Sequence, residues 1–131
     1  MASTSLKKNT VAIVQARCNS IRLPNKIMRK IAGMPAIELL HKRLKISKEI
    51  DNTVIATSKN QANSKLVNFC KRKQINYFLG TENNVLKRYY DASKVFKADI
   101  IVRITGDSIL IDARLVDKII KIFKSNKVDY V

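Results

Sequence analysis

The stretch V-A-I-V-Q-A-R-C-N-S-I-R-L-P-N-K, residues 11–26, decides the fold of this 131-residue chain. Its first six residues are nearly all apolar, which is typical of a β-strand buried on both faces. A polar loop follows directly and carries three cations, Arg17, Arg22 and Lys26. A buried strand that ends in such a loop predicts a parallel sheet with a binding loop at its carboxyl edge.

Similar apolar runs recur along the chain, and amphipathic helical patterns separate them. We predict buried strands at residues 11–16, 53–57, 76–79 and 99–104, and the opening of a further strand at 128–131. We predict helices at residues 35–46, 61–73 and 83–96, and a fourth that Asp112 caps. In the third helix we expect Val85, Leu86, Tyr89, Tyr90 and Val95 to face inward.

The alternation of strand and helix predicts an α/β fold with a mostly parallel sheet and helices on both faces. We expect a flexible basic lead-in over residues 1–9 and one nucleotide-binding α/β domain over residues 10–131. Because the last predicted strand has no closing element after it, we expect the fold to be incomplete at its C-terminus.

Composition narrows the class of protein. Hydrophobic residues make up 46% of the chain, which is enough for a core, and the net charge is +16. The basic residues are scattered over every helical pattern rather than gathered in one block. We therefore attribute the charge to a compositional bias toward Lys, Asn and Ile, and expect no specific nucleic-acid partner. Nucleic-acid binding remains the weakest of the alternatives.

The cysteine content and the hydropathy of the chain indicate the cellular compartment of the protein. Cys18 and Cys70 lie in unlike contexts and form neither a disulfide framework nor a metal-ligand spacing. No apolar stretch has the length of a membrane span, and no signal peptide opens the chain. We expect a cytoplasmic protein with no membrane partner.

A second loop stands where the predicted strand 99–104 ends, and it reads T-G-D-S at residues 105–108. Asp107 in this loop is a natural Mg²⁺ ligand beside a triphosphate, because Mg²⁺ takes one or two carboxylates together with phosphate oxygens. The cationic loop after the first strand suits phosphates, although it is neither a Walker loop nor a dinucleotide fingerprint. Taken alone, the cationic loop is equally compatible with a solvated basic loop, and Asp107 alone is typical of an ordinary turn. The position of both loops on the same edge of the sheet favours a site.

Other residues are weaker candidates. His41 is interpreted as a helix residue rather than a base, and Cys18 as a loop-packing residue. Glu82 and Arg88 flank the start of the third helix, where either could touch the base or sugar of a nucleotide or merely cap the helix.

Four motifs in order resemble the cytidylyltransferases that activate sugars. The opening loop is similar to the family pattern Q-A-R-x-G-S-x-R-L-P-G-K, matched here by Gln15, Ala16, Arg17, Ser20, Arg22, Leu23, Pro24 and Lys26. The others are V-I-A-T at 54–57, G-T-E-N-N-V-L-K-R-Y-Y at 80–90 and R-I-T-G-D-S-I-L-I-D at 103–112. They are most similar to the spore-coat polysaccharide branch, which is also associated with nonulosonic acids.

The resemblance implies a Rossmann-like nucleotidyltransferase fold, a three-layer sandwich. It implies CTP as the donor, Mg²⁺ as the cofactor, and an acidic sugar of the nonulosonic or octulosonic type as the acceptor. The products would be a CMP-sugar and pyrophosphate, for cell-surface polysaccharide or glycan synthesis. Arg17, Lys26 and Asp107 would be catalytic, with Asp107 the metal ligand. The nucleotide-binding residues would be Gln15, Ala16, Arg17, Asn19, Ser20, Arg22, Lys26, Thr81, Arg88 and Thr105.

The chain departs from the family in two respects. Asn19 and Asn25 replace the two loop glycines, and Asn is the non-glycine residue that best tolerates φ > 0. The chain is also about half the family's length, and the resemblance implies that the family's second half, with further sugar recognition, a further carboxylate and the dimerisation element, lies outside it. A homodimer therefore stays open, as does a non-catalytic nucleotide-binding module. A nucleotide-sugar glycosyltransferase of related fold is disfavoured, because Asp107 lacks the preceding Asp of a D-x-D motif.

Overall fold

The computed structural model describes residues 6–131, and its central feature is a parallel β-sheet. The strands are β1 (Thr10–Gln15), β2 (Lys30–Ile31), β3 (Met34–Pro35), β4 (Asn52–Ser58), β5 (Asn76–Gly80) and β6 (Ile100–Thr105). Four of them form one sheet in the order β5-β4-β1-β6, with every neighbouring pair parallel. β2 and β3 form a small antiparallel hairpin. The predicted mostly parallel α/β fold is confirmed.

The helices are α1 (Ala36–Leu44), α2 (Ser64–Lys73), α3 (Val85–Val95) and α4 (Ala113–Ser125). Asp112 caps α4 as predicted, because its side chain accepts a hydrogen bond from the backbone N–H of Arg114. The predicted helix 61–73 begins as a 3₁₀ turn, and α1 ends two residues before the predicted position 46. No helix within residues 6–131 is long and apolar enough to cross a membrane.

Two hydrophobic clusters hold the layers together, one on each face of the sheet. Alternate residues of β1 point to opposite faces, so that Ala12 and Val14 join one cluster while Val11 and Ile13 join the other. The first cluster takes its helical residues from α1 and α2, and the second takes them from α3, including Tyr89. The three-layer arrangement is therefore present.

The interpretation of residues 99–104 as a strand buried on both faces is wrong. β6 is an edge strand, and Ile101 and Arg103 are exposed on it. The cause is the position of α3, which packs mainly on β1, β4 and β5. The prediction that α3 faces inward at Leu86, Tyr90 and Val95 is also wrong, since all three side chains are exposed.

The segment 128–131 does not form the predicted strand. Its residues are exposed and form no β-strand within the described chain. A strand is stabilised by the ladder of hydrogen bonds to a neighbour, and in the described structure this segment is hydrogen-bonded to neither edge of the sheet.

The predicted lead-in 1–9 falls partly outside the described residues, which begin at residue 6. Within the described part, the backbone N–H of Asn9 donates to the Asp99 carboxylate at 2.7 Å, and its side chain donates to the carbonyl of Lys97 at 2.9 Å. Flexibility of this segment stays a prediction.

Asp51 anchors the start of β1, and we expect it to make stability depend on pH. Its carboxylate accepts a hydrogen bond from the backbone N–H of Thr10 at 2.8 Å and pairs with Lys7. These contacts, the Thr10 bond first, hold the pKa of Asp51 below its ordinary value. Stability from this group is therefore present above about pH 4 and is lost as the pH falls through the lower folded pKa.

Asp51→Asn should lower the free energy of unfolding at pH 7 by roughly 1 kcal/mol, and the difference from the parent should shrink at pH 2–3. Urea denaturation at both pH values measures this. Asp129→Asn, in the exposed segment after α4, is the control and should change neither value. An equal loss at both pH values for Asp51→Asn would contradict the assignment.

Candidate functional site

The site lies where β1 and β6 end side by side. The ladder between these strands continues one residue further, because the backbone N–H of Gly106 donates to the carbonyl of Gln15 at 2.7 Å. A cavity of about 250 Å³ opens above this point. Eight of the predicted site residues line it: Gln15, Ala16, Arg17, Ser20, Arg22, Lys26, Thr105 and Asp107.

Gly106 permits the close approach of the two loops. A Cβ at this position would lie 3.0 Å from the Gln15 carbonyl oxygen and 3.2 Å from Ala16 Cβ, so a side chain would push the strands apart. With glycine, the loop after β6 turns directly against the loop after β1. Asp107 is thereby brought next to the cationic loop, although the two are about 80 positions apart in the sequence.

Backbone hydrogen bonds fold the cationic loop back on itself. The N–H of Asn25 donates to the carbonyl of Cys18 at 2.9 Å, and Asn25 has a left-handed backbone with φ 56°. Asparagine thus serves there in place of glycine, as the sequence predicted. Asn19 is not among the positive-φ residues of the described chain, so its side chain causes no backbone strain of that kind.

Lys26 and Asp107 pair with each other across the cavity. Lys26 Nζ lies 2.7 Å from Asp107 Oδ1, and both side chains are substantially exposed, at 42% and 66%. An exposed pair of this kind contributes only about 0–1 kcal/mol, so either group can be drawn away at little cost. The predicted phosphate ligand and the predicted metal ligand therefore neutralise one another without a bound triphosphate.

A metal ion at this place would depend on the triphosphate. Within residues 6–131 no three or more His, Cys, Asp or Glu side chains cluster as a metal site would require. Mg²⁺ commonly keeps several waters and takes one or two carboxylates together with phosphate oxygens. Asp107 fits that pattern, since it is exposed and stands beside the cations that suit phosphates.

Three predicted nucleotide-binding residues, Asn19, Thr81 and Arg88, lie outside this cavity. Arg88 is buried, at 1% exposure, and its guanidinium donates to the carbonyls of Thr81 and Glu82. Burial lowers the pKa of Arg88, and the nearby charge of Arg17 lowers it further. Arg88 thus supports the loop after β5 from beneath, and one nitrogen, Nη1, has no hydrogen-bond partner within the described residues.

Asn63 is a supporting residue that the sequence reasoning missed. It is fully buried at the start of α2, where its side-chain oxygen accepts from the backbone N–H of Cys18 at 2.7 Å. Its amide nitrogen donates to the hydroxyl of Ser58 at 2.8 Å. Asn63 therefore fixes the cationic loop to the end of β4. Burial raises the pKa of the Cys18 thiol, in agreement with a packing role.

Glu82 joins three loops at the same edge of the sheet. One carboxylate oxygen accepts from the side-chain amides of Asn19 at 3.1 Å and Asn60 at 2.7 Å. Asn60 in turn caps the 3₁₀ turn before α2. A carboxylate only accepts hydrogen bonds, so it fixes the orientation of both amides. The loops after β1, β4 and β5 are thus connected through neutral amides and one carboxylate.

A larger groove of about 540 Å³ runs along α4 but has different chemistry. Its walls include Arg114, Lys118 and Lys121, and its carboxylate, Asp117, is already engaged by Ser47 and by the backbone N–H groups of residues 48 and 49. The groove lacks a loop at a strand end, so the cavity between β1 and β6 is the better candidate site.

Comparisons with known proteins identify the family of the chain. A family model described as "Cytidylyltransferase" matches residues 11–131. The spore coat polysaccharide biosynthesis protein SpsF of Bacillus subtilis is 34% identical over 122 residues, which cover 90% of this chain and 51% of SpsF. The 3-deoxy-manno-octulosonate cytidylyltransferase of Pelobacter propionicus is 30% identical over 116 residues, covering 86% of this chain and 44% of that protein.

A solved structure shows the same fold. The cytidylyltransferase from Leptospira borgpetersenii superposes with a TM-score of 0.86 at 34% identity, covering 92% of this chain and 51% of that one. The Rossmann-like nucleotidyltransferase fold is therefore confirmed. The chain spans about half the length of the curated relatives it matches.

Replacing Asn63 tests whether the loop is held from below. Asn63→Ala would leave the N–H of Cys18 unpaired in a buried place and remove one of the hydrogen bonds to the Ser58 hydroxyl, which costs about 2–3 kcal/mol of unfolding free energy. We expect that loss in urea denaturation, together with faster amide exchange at Cys18. Asn83→Ala, at an exposed position, is the control. Unchanged exchange at Cys18 would contradict the role given to Asn63.

Proposed function

The chain belongs to the cytidylyltransferase family, and we propose that it binds CTP between β1 and β6 and transfers the cytidylyl group to an acidic sugar. The observation that carries this proposal is the assembly of Arg17, Arg22, Lys26 and Asp107 around one cavity at the carboxyl ends of neighbouring parallel strands. Open α/β sheets bind their ligands at this edge.

The cations would hold the triphosphate. Arg17, Arg22 and Lys26 bring three positive charges to a loop whose shape is fixed by Asn25 and Asn63. Charge-assisted hydrogen bonds to phosphate oxygens are stronger than neutral ones. The cavity is smaller than most ligand pockets, which measure roughly 300–1,000 Å³, so it suits the phosphate chain rather than a whole nucleotide.

Asp107 would hold Mg²⁺ together with phosphate oxygens, and the ion would neutralise part of the charge on the phosphates. Lys26 would then exchange its partner from Asp107 to a phosphate oxygen. Because their mutual ion pair is exposed and weak, this exchange requires little free energy. Asp107 and Lys26 thus act as a pair that separates when the nucleotide arrives.

In the proposed reaction a sugar hydroxyl attacks the α-phosphorus of CTP. The new oxygen–phosphorus bond forms as the bond to the β-phosphate oxygen breaks, the hydroxyl proton is released, and pyrophosphate leaves. The contribution of the protein is positioning and charge neutralisation. The names of SpsF and of the octulosonate cytidylyltransferase support an acidic sugar for surface polysaccharide as the acceptor.

The cellular setting is part of the proposal. Both cysteines are unpaired and buried, which suits a reducing cytoplasm. We propose CTP and a small acidic sugar as the partners, with neither a specific nucleic acid nor a membrane among them. Association into a homodimer remains a prediction.

A second candidate function is nucleotide binding without transfer, because a cavity of about 250 Å³ lined by cations would hold phosphates without any acceptor site. Pyrophosphate release with CTP, Mg²⁺ and a panel of nonulosonic and octulosonic acids separates the two. Release that depends on both CTP and the sugar acid supports the transferase. Binding of CTP without any release supports the binding module, and a strict requirement for UTP or a UDP-sugar contradicts the assignment of CTP.

Removing the cations should weaken nucleotide binding. We expect Arg17→Ala and Lys26→Ala each to raise the dissociation constant for CTP by roughly 10- to 100-fold, since a hydrogen bond to a charged group contributes about 1.5–3 kcal/mol. Isothermal titration calorimetry measures this. Lys118→Ala, on the exposed face of α4, removes the same charge far from the cavity and should have little effect. Intact binding in both loop variants would refute the site.

Asp107→Asn should strengthen CTP binding in the absence of metal and abolish the gain in affinity that Mg²⁺ gives. In EDTA the variant frees Lys26 and removes a negative charge from the cavity, so we expect CTP to bind up to about fivefold more tightly. With Mg²⁺ the parent should gain affinity and the variant should not. Titrations in EDTA and in Mg²⁺ give both values. Equal weakening under the two conditions would show that Asp107 only shapes the loop.

A further inference from the structure

Arg103 is the first residue of the R-I-T-G-D motif, and neither the phosphate site nor the metal site uses it. It lies on β6 opposite Ile13 of β1, two residues before Thr105. Its guanidinium carbon lies 4.8 Å from the centroid of the Tyr89 ring. An arginine stacked on an aromatic face is oriented by that contact, while the edge of its planar fork remains available for hydrogen bonds.

Tyr89 places this guanidinium beside the candidate cavity. The Tyr89 hydroxyl donates to the carbonyl of Ile104 at 2.7 Å, which fixes the ring at the end of β6. Burial raises the pKa of Tyr89, while Arg103, the backbone of Gln15 and Arg88 act in the opposite direction. Ile104 directly precedes Thr105, which lines the cavity, so the Tyr89 hydroxyl lies one residue away from the cavity wall.

The charge of Arg103 has no acidic partner among the ion pairs found within residues 6–131. Arg17, Arg22 and Lys26 surround the place of the phosphates, and Arg88 is buried against backbone carbonyls. Arg103 is exposed on β6, where it stacks on Tyr89 of α3.

We propose that Arg103 binds the carboxylate of the acceptor sugar and so selects an acidic sugar. This inference rests on the proposed transferase function. In the cyclic hemiketal form of a 2-keto sugar acid, the carboxylate is attached to the carbon that carries the attacking hydroxyl. The group that binds it must therefore stand near the place of the α-phosphate.

Arg103 lies close enough to the cavity to meet the requirement that the carboxylate be bound near the α-phosphate. Two residues of a strand span about 7 Å, a distance comparable to the length of an arginine side chain, so Arg103 is within reach of Thr105 at the wall of the cavity. A carboxylate next to a triphosphate is electrostatically unfavourable unless a further cation pairs with it. The guanidinium fork matches a carboxylate with two parallel hydrogen bonds, which a neutral sugar cannot form.

The test compares acids with their methyl esters. The full chain is titrated, in Mg²⁺ and a saturating α,β-methylene analogue of CTP, with 3-deoxy-manno-octulosonate, N-acetylneuraminate and the ester of each. We expect the parent to bind at least one acid roughly 30-fold more tightly than its ester, as befits a charged hydrogen-bonded pair. Arg103→Met should reduce this ratio to near one, and Arg103→Lys should give an intermediate ratio.

Arg72→Met is the matched control, because Arg72 is also stacked on an aromatic ring, that of Phe69, but on α2. It should keep the parent's ratio. Binding of the CTP analogue should be the same in the parent and the variants, which also shows that each is folded. An unchanged acid-to-ester ratio in Arg103→Met would overturn this inference but not the proposed function. The same holds if the parent binds the analogue but shows no preference for the acid. Failure of the parent to bind CTP or the analogue overturns the proposed function itself.

Discussion

The structure depends on the contact at which the ends of β1 and β6 meet. The hydrogen bond from Gly106 to the Gln15 carbonyl is possible because position 106 has no side chain. It brings a loop of cations and a loop with a carboxylate to one edge of the sheet. Every feature assigned to the site, from the Lys26–Asp107 pair to the cavity, requires this approach of the two strands.

The cationic loop is held in place mainly by neutral groups. Asn63 and Asn60 connect it, directly or through Glu82, to the loops after β4 and β5. Amides can fix a loop without neutralising its arginines, so the positive charge stays available to a ligand. Lys26 is the exception, since Asp107 pairs with it. That exception fits a group whose partner changes when the nucleotide binds, because an exposed pair separates at little cost.

Local patterns in the sequence were sufficient for the four strands of the main sheet, the approximate bounds of the helices and eight of the residues that line the cavity, but not for the β2–β3 hairpin or for the segment 128–131. β1 and its loop could be predicted because an apolar run followed by a polar loop needs no distant partner. The sequence pattern of β6 does not distinguish an edge strand from a fully buried one, because it does not show that α3 leaves one face of β6 largely uncovered. The support by Asn63 and the burial of Arg88 arise from contacts between separate segments, so their sequence neighbourhoods do not reveal them.

The overall charge and the local charge have different consequences. A net charge of +16 spread over the surface attracts any polyanion at low salt and confers no selectivity. Selectivity requires cations at defined places, and here Arg17, Arg22 and Lys26 lie in the loop after β1 while Arg103 lies on β6, stacked on Tyr89. A cluster of three cations and one separate guanidinium suit the proposed reaction between two anions, a triphosphate and a sugar acid. A single phosphate site would leave the second anion repelled by the first.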